Sequence, residues 1–181
     1  MSAAAQGADR LVSVVQGEFR VFEDPLVLLS TVLGSCVAVC LFDPVRGIGG
    51  MNHFLLPFGQ EEGGDRPVRY GLFAMEMLIN ALMKGGARRE SLQAKVFGGA
   101  KIMADLRDIG SANAKFTREF LATEQIACVA ESLGGTQARR VVFRPSTGQA
   151  RMLAVASSTL PPAAAAKPAP KPATTSRIDL F

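Results

Sequence analysis

Apolar and polar residues alternate from Leu11 to Phe22 (LVSVVQGEFRVF), a period of two that predicts one strand, or two strands broken at Gly17. The apolar, β-branched run LVLLSTVLG follows and ends at Gly34. VAVCLF, DPVRG and IGGMNHFLLP then read as strand, turn and strand, with Asp43 and Pro44 suited to the first two positions of a type I turn. Phe58–Arg69 is a polar, Gly-containing loop long enough to act as a flap. Beyond it Leu72, Met75, Leu78, Ile79 and Leu82 recur at helical spacing, and Gly85-Gly86 stops the run as a C-cap would. LQAKVF (Leu92–Phe97) reads as a strand ending at Gly98-Gly99. A second helix is expected after IGSAN (Ile109–Asn113), with Phe116, Phe120 and Leu121 on one face and Asn113 as a cap. IACVAES, ARRVVFRP and ARMLAV read as short strands, the last two joined by a turn at Pro145–Gly148. Short strands interspersed with two amphipathic helices define an α+β class, with mixed β-sheets covered by helices.

Composition changes this picture mainly at the ends. After Val155 the chain turns into an Ala/Pro tract, SSTLPPAAAAKPAPKPATTS, that cannot bury a core. The expected organisation is a disordered N-terminus over 1–10, a folded domain over 11–156, a linker over 157–175 and an apolar tail over 176–181, whose Ile178, Leu180 and Phe181 suit a docking peptide. With 181 residues and 48% hydrophobic side chains, one well-packed core is affordable. Of the formal net charge of +4, Lys167, Lys171, Arg177 and Asp179 together supply half, so the folded part is nearly balanced. No run of Lys/Arg carries interleaved aromatics, which argues against nucleic acid as a partner. No apolar run approaches the length of a membrane span and MSAAAQGADR lacks a signal core, so the expected location is cytoplasmic, without membrane insertion. An odd count of three cysteines suits reduced thiols.

The candidate chemistry gathers in LGSCVAVCLFDPVRGIGGMNHFLLP, Leu33 to Pro57, which holds two of the three cysteines and the one histidine. If Asp43 pairs with Arg46 across the turn, stepping back along both strands sets Cys36 opposite His53, with Cβ atoms about 5 Å apart. A bulge at Gly47 would displace His53 by one position. Metal binding is the competing use of Cys36, Cys40 and His53. A strand rises about 3.3 Å per residue, which puts Cys36 and Cys40 roughly 13 Å apart, too far to share one zinc. No metal and no cofactor are therefore expected. Cys40 and Cys128 lie in apolar strands and read as small buried hydrophobes. Cys36 differs, because Gly34 allows a tight bend that leaves the N–H groups of Ser35 and Cys36 unpaired and aimed at one point, as an oxyanion hole requires. Gly98-Gly99 and Gly134-Gly135 read as turns, and Arg139 as a solvated or structural charge.

GSCVAVCLFDP followed by GGMNHFLLP closely resembles the CheD family, the chemoreceptor glutamine deamidases of bacterial chemotaxis. QGEFRVFEDP, KVFGGAKIM, IGSAN and ESLGGTQARRVVFRPSTGQ resemble that family's blocks in their usual order, so the likeness runs from about Leu11 to Val155. It implies a layered α/β sandwich related to the cysteine deamidase toxins. It also implies a catalytic cysteine and histidine at Cys36 and His53, and hydrolysis of receptor glutamine side chains to glutamate through a thioester, with release of ammonia. The family's third catalytic member is a threonine six positions before the cysteine. Ser30 stands there in this chain, with Thr31 next to it as the alternative. The implied partners are the cytoplasmic domains of methyl-accepting receptors and, in some systems, a CheC-type phosphatase. Two rival readings are a noncatalytic adaptor with the same docking surface, and hydrolysis of receptor methyl esters by the same nucleophile.

Overall fold

Two strands flank Gly17, and they go to different sheets. The computed structural model describes residues 8–56, 66–102 and 108–155. Along these, β1 (Arg10–Ser13), β2 (Phe19–Phe22), β3 (Val27–Leu33), β4 (Val37–Asp43) and β5 (Ile48–Phe54) precede α1 (Arg66–Lys84) and β6 (Gln93–Gly98). They are followed by α2 (Ile109–Thr123), β7 (Ala127–Leu133), β8 (Ala138–Arg144) and β9 (Gln149–Val155). One sheet has the order β1-β3-β8-β9 and the other β2-β5-β4-β6-β7. Each is mixed: β1 runs parallel to β3 and β6 parallel to β7, while the other pairs are antiparallel. The class is α+β, as the pattern predicts.

Alternation along β4 explains the layering. Val37, Val39 and Leu41 face the helices, where they pack with Met75, Leu78 and Leu82 of α1 and Phe116 and Phe120 of α2. Ala38, Cys40 and Phe42 face the opposite way, onto Val27, Leu29 and Leu33 of β3 and Val141 and Phe143 of β8. β4 is thus buried on both sides, the reason its sequence reads as a continuous apolar run. The result is three layers, sheet on sheet on helices, with the helices covering the five-stranded sheet.

Several local expectations shift. α1 begins at Arg66, inside the segment read as a loop, with Pro67 near its start, where its missing N–H costs nothing. The rest of the supposed flap, 58–65, lies outside the described residues, as do the Ala/Pro linker and the tail. Leu72, counted on the helix's apolar face, is exposed, and Gly71 takes the buried place beside it. The helix closes at the double glycine as expected: Ala87 N–H donates to the Leu82 carbonyl and Gly86 N–H to that of Met83, a Schellman pair. IGSAN forms the first turn of α2 rather than preceding it, because Asp108 is the cap that accepts from Ser111 N–H at 3.0 Å. At the N-terminus, Asp9 binds Arg144 at 2.8 and 3.0 Å and Arg10 already pairs in β1. Among the described residues no helix is long and apolar enough to cross a membrane.

Candidate active site

The chain crosses from one sheet to the other between Leu33 and Val37, so Gly34, Ser35 and Cys36 belong to neither ladder. Their carbonyls are nonetheless tied down. Ala100 N–H donates to the Gly34 oxygen at 2.9 Å, Asn113 Nδ2 to Ser35 at 3.2 Å and Gly99 N–H to Cys36 at 2.8 Å. In a trans peptide the N–H points opposite to the C=O of the same plane. Holding the Gly34 and Ser35 carbonyls on one side therefore aims the N–H groups of Ser35 and Cys36 at the other, and no carbonyl of the described residues accepts either. The glycine that makes the bend possible is Gly98, not Gly34. Gly98 has φ +113° and a Cβ there would lie 2.1 Å from the Cys36 oxygen, whereas a Cβ at Gly34 would meet only the Ile102 side chain, at 3.1 Å.

His53 sits on β5, opposite Ala38 rather than opposite Cys36. The pairing across the turn is Asp43 with Ile48, so four residues, 44–47, form the connection instead of two. Asp43 sets that length: its Oδ1 accepts from Val45 and Arg46 N–H at 2.9 and 3.1 Å, and its carbonyl accepts from Gly47 at 3.0 Å. Cys36 becomes a diagonal neighbour of His53 on the same face, at a separation of roughly 7 Å between Cβ atoms. Both remain at one edge of the space between the sheets, where Cys36 packs against the inter-sheet core.

His53 is 7% exposed. Its Nδ1 lies 2.8 Å from Thr31 Oγ1 and 3.3 Å from the Val14 carbonyl oxygen. A carbonyl can only accept, so the hydrogen-bond network assigns the proton to Nδ1 and leaves Nε2 with a bare lone pair. Nε2 is buried and, among the described residues, has no hydrogen-bond partner. Burial lowers the His53 pKa below its ordinary value, partly opposed by the Val14 hydrogen bond, so the ring is neutral near pH 7.

Ser30 and Thr31 leave β3 on opposite sides. Val27, Leu29 and Leu33 face the inter-sheet core, and Thr31 shares their parity, which brings its hydroxyl to the ring. Ser30 has the other parity; its part in this region is a main-chain one, its carbonyl accepting from Val14 N–H at 2.9 Å. The geometry therefore puts Thr31, and not Ser30, against His53.

The Cys36 thiol is half-buried, which pushes its pKa up to about 11, with its own backbone N–H pulling the other way. Its hydrogen donates to Gln16 Oε1 at 3.3 Å. Gln16, which sequence reasoning did not single out, sits in a turn closed by Glu18 N–H donating to the Val15 carbonyl, with Gly17 at φ +88°. That geometry is type II, and it demands the glycine. Gly17 N–H donates to the His53 carbonyl and His53 N–H to that of Glu18, so turn and histidine share one frame. Cys40 is fully buried in the inter-sheet core, as expected. Cys128 is exposed instead, because β7 is an edge strand.

Asn113 does not cap α2, a role that Asp108 takes, but lies inside the helix. It is fully buried, accepts from Leu56 N–H at 2.8 Å, and donates to the carbonyls of Ser35 and Ile109. One side chain thus ties α2 to the cysteine bend and to the end of β5. Arg139 is buried and gives its guanidinium to the Ser132 and Gly134 carbonyls and the Ser132 hydroxyl, a structural charge that holds the β7–β8 turn. On the helix-facing side of the sheet, across β5 from the His53 ring, an apolar groove of about 120 Å³ runs between β2 and α1, with Phe19, Tyr70, Phe73 and Met77 along it.

A family model described as CheD chemotactic sensory transduction matches residues 55–154. That span begins just after His53, but similarity to individual relatives extends over the cysteine bend. The chain is 52% identical over 94% of its length to a Caulobacter sp. (strain K31) protein named probable chemoreceptor glutamine deamidase CheD, covering 92% of that protein. Proteins of the same name from Sinorhizobium medicae (strain WSM419) and Rhizobium leguminosarum bv. trifolii (strain WSM2304) are 51% and 49% identical over 83% and 97% of this chain, covering 83% and 98% of theirs. Among solved structures, a Neisseria meningitidis protein of family model DUF152 superposes with a TM-score of 0.47 at 13% identity, covering 70% of this chain and 64% of its own.

Proposed function

This chain belongs to the CheD family, and from that membership together with the site geometry we propose that it is an enzyme converting glutamine side chains of chemoreceptors to glutamate by a Cys36–His53 thioester route. The observation that carries the mechanism is the orientation of His53. Its Nδ1 is occupied by Thr31 and Val14, and its Nε2 is buried, unpaired among the described residues, and on the same face as the thiol. That is the arrangement of a general base held in one tautomer by a third residue.

In the resting site the thiol is protonated and the imidazole neutral, so no ion pair is preformed. Cys36 turns from Gln16 toward His53, Nε2 takes the thiol proton, and sulfur attacks the carboxamide carbon as that proton leaves. The Ser35 and Cys36 N–H groups receive the developing oxyanion. The imidazolium protonates the departing nitrogen, ammonia leaves and a thioester remains. His53 then deprotonates water, which attacks the thioester; the carboxylate departs and the proton returns to sulfur. Carboxamide and water are consumed, and carboxylate and ammonium are formed. Thr31 serves as the third member, accepting from Nδ1–H and steadying the cation formed midway.

The groove between β2 and α1, around the sheet edge from the His53 ring, with Phe73 and Tyr70 exposed along α1, supports an amphipathic receptor helix as the carrier of the glutamine, with the reaction taking place in the cytoplasm. The test is ammonia release from a receptor cytoplasmic fragment, with the mass of the modified peptide as the second readout. Wild type should release ammonia stoichiometrically with glutamate formed, and Cys36→Ala should not. Equal, background release from both would favour the adaptor reading, and methanol release from a methylated fragment would reveal esterase action.

A further inference from the structure

Gln16 is the thiol's partner, yet nothing in the mechanism above employs it. Its side chain is exposed and anchors no core; among the described residues its one side-chain hydrogen bond is the one from Cys36. The turn that carries it is locked to His53 by two main-chain hydrogen bonds and by the Val14 carbonyl on Nδ1. The backbone that carries this acceptor is therefore fixed by the same frame that holds the base, and it sets Oε1 beside the nucleophile.

We propose that Gln16 is a substrate-binding residue that selects primary carboxamides: once the thiol proton has passed to His53, Gln16 Oε1 accepts an N–H of the substrate's amide group. This rests on the deamidase reading. A carbonyl carbon poised for attack stands about 3–3.5 Å from sulfur, and its amide nitrogen is one bond further on. An acceptor that sits 3.3 Å from the resting Sγ can meet that nitrogen at hydrogen-bond distance once the thiol has turned to His53. The acceptor exchanges one donor for another, so it is paired in both states, and it fixes the nitrogen where the imidazolium must deliver a proton. An ester offers no N–H and forgoes this hydrogen bond at the reacting centre.

Four proteins decide it: wild type, Cys36→Ala, Gln16→Met and Gln16→Glu. Gln16→Met keeps length without an acceptor and should lose about tenfold or more in kcat/KM for ammonia release, the cost of one hydrogen bond at the reacting centre. Gln16→Glu still accepts, but its charge raises the thiol pKa. It should recover to within a few-fold of wild type on a pH profile displaced upward, a shift that a merely structural role would not produce. Gln16→Met within about twofold of wild type overturns the proposal, as does Gln16→Glu remaining as inactive as Gln16→Met at every pH. If wild type releases no more ammonia than Cys36→Ala, the deamidase reading itself has failed, and alkylation of Cys36 decides the role of Gln16. Iodoacetamide, which presents the N–H donors, should then be favoured over methyl iodoacetate severalfold more in wild type than in Gln16→Met. Equal preference in the two proteins overturns it.

Discussion

Ser30 and Thr31 carry the same hydroxyl, and what separates them is the side of β3 from which each leaves. Thr31→Val keeps the shape and removes the oxygen that lies against Nδ1, so ammonia release should fall by roughly 10- to 100-fold, in the range expected for loss of an orienting partner. Ser30→Ala should stay within a few-fold of wild type, and the reverse ranking would return the third role to Ser30. His53 makes a second prediction, about pH. Its pKa is lowered on folding, so below about pH 6.5 the unfolded chain binds the proton first. Its contribution to stability is complete above that pH and shrinks as pH falls below it, which denaturant titrations of wild type and His53→Gln at several pH values will read. Cys36 behaves in the opposite sense. Alkylation of the resting thiol should keep rising with pH toward about 11, well beyond an ordinary cysteine.

At the scale of elements, the site depends on how β4 is entered and left. The bend before it needs Gly98: an alanine there combines φ +113° with a Cβ 2.1 Å from the Cys36 oxygen. Gly98→Ala should therefore cost about 2–4 kcal/mol in chemical denaturation, through strain at a left-handed position and displacement of the crossing peptide. Asn113→Ala removes the side chain that joins α2, Leu56 and the Ser35 carbonyl. Leaving those buried groups unpaired should cost roughly 2–3 kcal/mol, and ammonia release should drop even where the protein is fully folded. The turn after β4 shows where reading the hairpin from sequence went astray. Asp43-Pro44 reads as the start of a two-residue connection, but the Asp43 carboxylate also draws in Val45 and Arg46, and two further residues enter the loop. The register moves by two, so the alternation is kept and both groups stay on one face.

For the whole molecule, the site lies at the margin of the inter-sheet core rather than in the helical layer. Leu29→Ala, two residues from Thr31 and fully buried between the sheets, should cost about 2–5 kcal/mol and also loosen the Thr31–His53 contact. Leu153→Ala, 68% exposed on the edge strand β9, should lie within about 0.5 kcal/mol of wild type. Denaturation midpoints, with activity measured well below them, separate the two effects. A Leu29→Ala protein that is destabilised yet catalytically unchanged would show that the sheets hold the site loosely.

Much of this was legible along the chain. Period-two and helical spacing name nearly every strand and both helices, because burial of one face imposes its period on local sequence. The residues of the Cys36 block and of the His53 block also mark the family, and bring the chemistry with them. Three things were decided only by tertiary structure. β3 is apolar on both faces, so its phase, and with it the choice of Thr31, is set by which side meets the second sheet. Gln16 lies twenty residues from Cys36 and meets it only because β1 and β2 part into different sheets around His53. Asn113 reaches the bend across seventy-eight positions. Local periodicity reports which face of an element is buried; it carries no record of what that face is buried against, and the contacts that orient the thiol and the imidazole are all of the second kind.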